Sequence, residues 1–342
     1  MPNPPADLAT PPPALHPTVW TPPADSGLTG AYAPNDRLLS GTRIPVLDEG
    51  PEDVVVAADG TIYTGTIDGS IQAISADGDR VRRVANTGGR PLGVELLPDG
   101  RLLVCDAYRG LLAVDVDSGA IEVLVGEHEG QPMLFTNNAA VAADGTIFFS
   151  DSSQRFSLQH YRGDALEHSG TGRLMRRDPD GTVTTVLAGL NFANGVALAP
   201  DESFVLVNET TEYRVRRLWL TGDKAGTDDV FATLPGFPDN LSTGPTGTFW
   251  VALFSTRQRL LDLLSSKPAV LRRIVWRIPE RLQPHPEELA FVVGLDGDGQ
   301  VVDNLQAHGD DFFMSTGARE HDGHLYVGSL RGDHLLRVPL SR

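Results

Sequence analysis

The sequence predicts an all-β protein, a six-bladed β-propeller, and three observations carry that prediction. A turn-and-strand signature recurs six times along 342 residues. Short segments rich in β-branched and aromatic residues surround each copy, bounded by Gly, Pro and Asp. The last unit is one strand short, and a spare strand-like segment precedes the first. Four-stranded units repeated about every 40–50 residues and closed on themselves define a propeller.

The signature reads "AADGTIYTGT" at 57–66, "LPDGRLLVCD" at 97–106 and "AADGTIFFSD" at 142–151. It continues as "APDESFVLVN" at 199–208, "GPTGTFWVAL" at 244–253 and "EHDGHLYVGS" at 320–329. Each copy has apolar residues, a tight turn on Asp-Gly or a substitute, and then a strand, which is a hairpin signal. Further strands fill each unit, as "GSIQAIS" and "VRRVANT" do for the first. The sixth offers only "FFMSTGA", "HLYVGSL" and "HLLRVPL", so "TRIPVLD" at 42–48 is expected to complete it and close the ring. Residues 1–41 then form a proline-rich N-terminal arm, and 42–342 the propeller.

One stretch breaks the pattern. Residues 256–286 place Leu and Ile at helical spacing among Arg257, Arg259, Arg272, Arg273, Arg277 and Arg281. One or two short amphipathic helices, broken near Pro268, are expected. The connection leaves the blade on the side of the channel mouth, so the insert is expected to overhang it as a lid. Packing on the rim and lying on a membrane surface are the other placements.

Composition sets limits. Lys plus Arg number 28 against 45 Asp plus Glu, a formal charge of −17 that repels nucleic acid and suits cations or neutral substrates. The lone Cys105, in "RLLVCDA", forms no intramolecular disulfide and reads as a buried strand residue. The N-terminus lacks the basic-then-apolar order of a signal peptide, and no apolar run reaches membrane-spanning length. A soluble, cytoplasmic protein is expected.

Aligning the units on their turns selects one position per blade at the start of the innermost strand. These are Glu52, Leu92, Asn137, Asn194, Asp239 and Ser315, with Asn240 following Asp239. Innermost strands line the channel, so equivalent positions converge there, and five of these six carry oxygen. A lone asparagine at a strand start commonly caps a turn. Two asparagines with two carboxylates in one register, and no Lys or Arg among them, call for a hard cation. Carboxylates, amide carbonyls and water make a calcium shell, whereas zinc would want His or Cys.

Four stretches resemble the strictosidine synthase-like family: "FTNNAAVAADGTIFFSDSSQRF", "GLNFANGVALAPDESFVLVNET", "LPGFPDNLSTGPTGTFWVALFS" and "REHDGHLYVGSL". The resemblance covers most of the chain from about residue 45, basic insert included. The wider group takes in paraoxonases, gluconolactonases and diisopropyl fluorophosphatase, six-bladed propellers of which many hydrolyse lactones or esters at a channel calcium. By that resemblance Glu52 of "PEDV", Asn137 of "TNNA", Asn194 of "ANGV" and Asp239–Asn240 of "PDNL" match calcium ligands. Leu92 of "PLGV" stands where paraoxonases carry a histidine, and Thr316 stands near the catalytic glutamate of the plant synthases.

The resulting expectation is a calcium-dependent hydrolase of a small-molecule lactone or ester. Asp239 would be nucleophile or water-activating base, and Glu52 primarily a ligand. Asp106, Tyr108, Asp151, Arg155, Glu209 and Phe254 are candidates to touch substrate; His128, His285 and His308 read as loop histidines, none of which is assigned the base role. The alternatives are a metal-independent, carbon–nitrogen bond-forming enzyme of the synthase type, and a non-enzymatic binding platform with structural calcium.

Overall fold

The computed structural model describes residues 11–278, 287–309 and 311–340. Among them, six four-stranded antiparallel sheets stand as blades in chain order. The innermost strands are Val54–Val56, Pro91–Leu96, Thr136–Val141, Ala193–Leu198, Gly236–Thr243 and Ser315–His321. Each packs against the next, and the sixth returns to the first. The turns follow the sequence signal: Gly60, Gly100 and Gly145 take φ of 84°, 87° and 88°, values a Cβ disfavours. The fourth turn, lacking glycine, puts Glu202 at φ 55° and fastens it by accepting the Ala143 N–H at 2.7 Å.

Apolar alternation fills the spaces between blades. In "RLLVCDA", Leu102 and Val104 join the cluster shared with blade 1, while Leu103 and Cys105 join the one shared with blade 3. Period-2 side-chain geometry sends neighbours to opposite faces, and a blade is covered on both. Every blade interface holds one such cluster. Cys105 is a core residue whose thiol burial pushes well above its ordinary pKa.

The ring closes as expected. Thr42–Pro45 pairs antiparallel with His334–Pro339, Ile44 opposite Leu335, so both ends of the chain complete blade 6. This removes a sheet edge that would otherwise remain open.

The expected insert is two helices, α2 (Arg259–Ser265) and α3 (Ala269–Arg277), separated at Pro268. Its last residues, 279–286, with Arg281 and His285, lie outside the described residues. A further helix, α1 (Tyr161–Glu167), sits between the second and third strands of blade 3. The sequence reading missed it, although "QRFSLQHYRGDALEHSGT" leaves ample length there. The proline-rich arm crosses all three helices. Thr18 donates its N–H to Glu167 O at 2.8 Å, and Trp20 to Ser265 O at 3.1 Å. Farther on, Asn35 bonds Asn304 and Gln306 at the outer strand of blade 5.

Closure by a four-residue strand makes its one buried side chain decisive. Ile44→Ala should cost about 2–4 kcal/mol, measured by urea unfolding. Its exposed neighbour Arg43→Ala should stay within about 0.5 kcal/mol.

Candidate functional site

Each innermost strand loses its ladder for two residues at the same place. The register jumps from Pro91 to Val94, Thr136 to Ala139, Ala193 to Val196, Pro238 to Leu241 and Ser315 to Ala318. In blade 1, Glu52 and Asp53 immediately precede the strand. Residues released from pairing can aim into the channel rather than at a neighbouring blade. The released pairs are Glu52–Asp53, Leu92–Gly93, Asn137–Asn138, Asn194–Gly195, Asp239–Asn240 and Thr316–Gly317. The sequence register therefore holds in five blades and is corrected by one residue in the sixth. Ser315 is still paired, and its hydroxyl bonds Phe291 N at 2.8 Å. Thr316 takes the ring place and donates to Glu52 O at 2.6 Å.

Glu52, Asn137, Asn194 and Asp239 form the floor of a cavity at the channel mouth. Asn240 lies behind them, its amide donating to Glu52 Oε2 at 3.0 Å. Asn194 donates to Asp239 Oδ1 at 2.8 Å and to Thr210 Oγ1 at 3.2 Å. Asn137 donates to Ser152 Oγ at 3.0 Å. All three amides thus spend their N–H groups on the protein, and each leaves its buried Oδ1 without a partner. Asn208, on the second strand of blade 4, does the same: it donates to Asp239 O at 2.6 Å while its Oδ1 stays unpaired. The sequence reading passed over Asn208, whose signal is one amide in the buried run "FVLVN". An unpaired buried acceptor costs about 1–3 kcal/mol, and four around one floor require a shared explanation. Among the described residues no three His, Cys, Asp or Glu side chains cluster to hold a metal, so any cation here depends on amide oxygens beside two carboxylates.

Buried acids outnumber the buried bases beside them: Glu52, Asp53 and Asp239 against Arg90. Burial first, then the neighbouring Asp239 and Asp53, pushes Glu52 well above the usual carboxylate range, with Arg90 and the Asn240 bond opposing. Burial likewise raises Asp239 to about 7 against the Asn194 bond, with Asp53 adding to the rise and Arg90 opposing it. Arg90 corrects the expectation of a site without a basic side chain. It is buried, donates to Gly50 O at 3.0 Å, and leaves Nε and Nη2 unpartnered. Sitting two residues before Leu92, it falls outside the repeat register.

The second residue of each pair builds a deeper layer in which large and small alternate. Asp53, Asn138 and Asn240 are separated by Gly93, Gly195 and Gly317. A Cβ on Gly195 would stand 2.3 Å from Leu241 N and 2.6 Å from Asp239 O; one on Gly317 would meet Asp53 Cα at 2.9 Å. Asn138 stitches this layer, accepting from Val196 N at 2.8 Å and donating to Asp53 Oδ2 at 3.2 Å. Asn138 is thereby satisfied by the protein, unlike Asn137 beside it.

Above the floor the wall is mostly apolar, with Leu92, Phe135, Phe192, Phe237 and Phe254 from the blades and Leu260, Leu261, Leu264 and Val275 from the insert, and Arg162, Gln258 and Arg331 among its polar members. The insert overhangs the mouth. Of the six candidate substrate residues only Phe254 lines the cavity. Asp106, Asp151 and Glu209 instead end the second strands and accept incoming backbone N–H groups from Arg90, Phe135 and Asn191 at 3.1, 3.1 and 3.0 Å. Tyr108 packs with the cluster around Leu92, and Arg155 pairs with buried Glu167. His128 and His308 lie beside Glu129 and Asp36, and neither lines the cavity.

A closed six-bladed propeller with oxygen donors gathered beneath an apolar channel mouth is the class of protein defined by this fold and floor. The family described as strictosidine synthase matches residues 137–223, and its strictosidine synthase-like N-terminal counterpart matches 30–74. The chain is 41% identical over 256 residues to strictosidine synthase-like 10 of Arabidopsis thaliana, spanning 71% of this chain and 67% of that protein. It is 34% identical to the adipocyte plasma membrane-associated protein of Salmo salar, spanning 96% of this chain and 85% of that one. The human protein of that name is 33% identical over 92% of this chain and 81% of its own. The chain belongs to the strictosidine synthase-like family.

Among solved structures, a gluconolactonase from Xanthomonas campestris aligns with TM-score 0.65 at 19% identity, covering 97% of this chain and 99% of that one. A calcium-binding protein, regucalcin, from Agrobacterium tumefaciens aligns with TM-score 0.61 at 15% identity, covering 88% and 97%. These share the fold. The relatives' names overturn the cytoplasmic expectation, because proteins matching nearly the whole chain are named for the plasma membrane. No helix among the described residues is long and apolar enough to cross a membrane. That observation bears on spanning, not on peripheral attachment.

Two outcomes follow from this geometry. Gly195→Ala should destabilise the fold by about 1–3 kcal/mol in urea unfolding, because backbone must move. Gly297→Ala, with open space around it, should stay within about 0.5 kcal/mol. The second concerns pH. An acid raised by folding from 3.8 to about 7 favours the folded chain while protonated, so its contribution is full below the lower value and lost as pH rises through the higher. In chelator-treated protein, the melting temperature should fall across that window, and Asp239→Asn should flatten the fall.

Proposed function

We propose that this protein is a calcium-dependent hydrolase of lactones or related esters, acting at the channel floor. The observation that supports this reading is the group of buried amide oxygens left unpaired beside two carboxylates. Glu52, Asn137, Asn194, Asp239 and Asn240 are the residues that would hold Ca²⁺, offering the hard oxygen donors that ion prefers. When bound, calcium would supply a Lewis acid that polarises a carbonyl and stabilises negative charge developing on its oxygen.

The chain's own residues have separate tasks. Glu52 is a ligand held in place by Asn240. Asp239 is oriented by Asn194 and acts as the nucleophile or as the base taking a proton from the attacking water. The phenylalanine and leucine wall excludes water and accepts an apolar substrate chain. Thr316 spends its hydroxyl on Glu52 O and is no acid or base, which weighs against the synthase-type alternative. The names of the relatives add a second element to the proposal, that this hydrolase works in association with a membrane.

The test is a panel of lactones and aryl esters assayed with chelator and with calcium restored. Turnover should vanish with chelator and return with Ca²⁺. Asp239→Asn should lower kcat/KM at least about a hundredfold, and Asn194→Ala should weaken calcium dependence and affinity together. Full activity after chelation would favour the metal-independent alternative. Cellular function that survives Asp239→Asn would favour a binding platform.

A further inference from the structure

We propose that helices α2 and α3 form a docking surface for an anionic phospholipid membrane, with the channel mouth turned toward the lipid. This deepens the membrane association proposed above and does not depend on the hydrolase chemistry.

The carrying observation is a pair of helices that are apolar on the outside. Leu263, Val270, Leu271, Ile274 and Ile278 are exposed, Leu263 and Ile274 by 59% and 53%. On α3, Val270, Leu271, Ile274 and the residue after its end, Ile278, fall within roughly 100° of the helix circumference, a continuous stripe. A stripe of that kind normally faces a protein core. Here the opposite side does: Trp276 and Val275 pack with Leu15, Phe156 and Leu166. Arg272 is fully buried, donating to Leu166 O at 3.0 Å and Thr18 O at 2.7 Å. Arg273 donates to Leu15 O at 3.1 Å. The N-terminal arm thus fixes α3 with Arg272 inward and Val270, Leu271 and Ile274 outward.

Charge selects the partner. Residues 256–278 carry six Lys and Arg against the single acid Asp262, in a chain whose formal charge is −17. Arg259, Lys267, Arg273 and Arg277 are exposed around the apolar stripe. A basic apolar patch on an acidic body matches an anionic headgroup layer over acyl chains, and the body's own charge keeps the rest of the surface away. An acidic protein or a neutral lipid would satisfy only one half of that chemistry.

The full chain should be floated with vesicles of phosphatidylcholine alone and of phosphatidylcholine with about one-third phosphatidylserine. The expected result is flotation with the anionic vesicles, weakened at high salt. Leu263→Ser/Ile274→Ser and Lys267→Glu/Arg277→Glu should each lower that partition by about tenfold or more. These positions lie outside the cavity lining, so circular dichroism, melting temperature and turnover of a soluble ester without vesicles should match the unaltered chain. Absent flotation, equal flotation with both vesicles, or variants that float normally would each overturn the proposal. So would concentration-dependent self-association abolished by the same variants, which would make a second copy the occupant. A chain that fails to float yet hydrolyses the soluble ester in calcium loses this surface and keeps its proposed chemistry.

Discussion

The break in each innermost ladder is the constraint on which the rest of this structure depends. Six strands converge on one axis, and a fully paired strand there would send its side chains only to neighbouring blades. Releasing two residues per strand directs side chains into the channel instead, and then crowding decides what each can be. Gly93, Gly195 and Gly317 are small because backbone from the next blade lies within 3 Å of their missing Cβ. The positions between them can be large, and they are polar because they face one another across the axis. Asp53 and Asn138 spend that polarity on Val94, Val196 and each other. One layer higher, Asn137 and Asn194 do not, and the acceptors remain open.

Electrostatics explains why amides outnumber acids. Glu52, Asp53 and Asp239 are all buried, and the cations near them are buried Arg90 and half-buried Arg319. Arg319 is shared with Glu95 at 2.7 Å. A further carboxylate would meet the desolvation cost of an unpaired buried ion, several kcal/mol in practice. Asparagine adds an oxygen without adding a charge. The result is a floor whose carboxylates are raised in pKa by burial and whose amide oxygens are left unpaired.

Much of this was readable from residues alone, and the failures have physical causes. Blades are legible because strands buried on both faces repeat β-branched runs, and Asp-Gly turns mark their spacing. The ring register was legible where the released pair begins with Glu52, Asn137, Asn194 or Asp239. It slipped in blade 6 because Ser315 and Thr316 are both hydroxyl residues, and counting from the turn cannot see a bulge. The glycines were the better ruler, since "PLGVE", "ANGVA" and "STGAR" align on Gly93, Gly195 and Gly317. Asp106, Asp151 and Glu209 misled for a different reason. A carboxylate at a strand end looks available in sequence, whereas here it accepts backbone N–H groups where the chain steps into each blade's inner strand. Arg90 was invisible because nothing in the repeat singles it out. Only folding brings its guanidinium to the acids.

The insert connects these layers to what lies outside them. One face of α2 and α3 contributes Leu260, Leu261, Leu264 and Val275 to the cavity wall, while Leu263 and Ile274 point away from it. The two faces are less than a helix diameter apart, about 10 Å. The N-terminal arm decides which face is which, because the carbonyl of Thr18 holds the buried Arg272 on the inner side while Leu15 O ties exposed Arg273 at the helix edge. An apolar molecule resting against the outer face would meet leucine, valine and isoleucine side chains there, and leucine and valine again on the cavity side, which Gln258 also lines. Its passage inward would exchange one apolar contact for another, without the cost of crossing water that an exposed polar rim would impose. The same helices that cover the carboxylates and amides thus offer an apolar approach to the cavity for an apolar molecule. That coupling gives a physical reason for a basic, leucine-rich insert at the mouth of an otherwise acidic propeller.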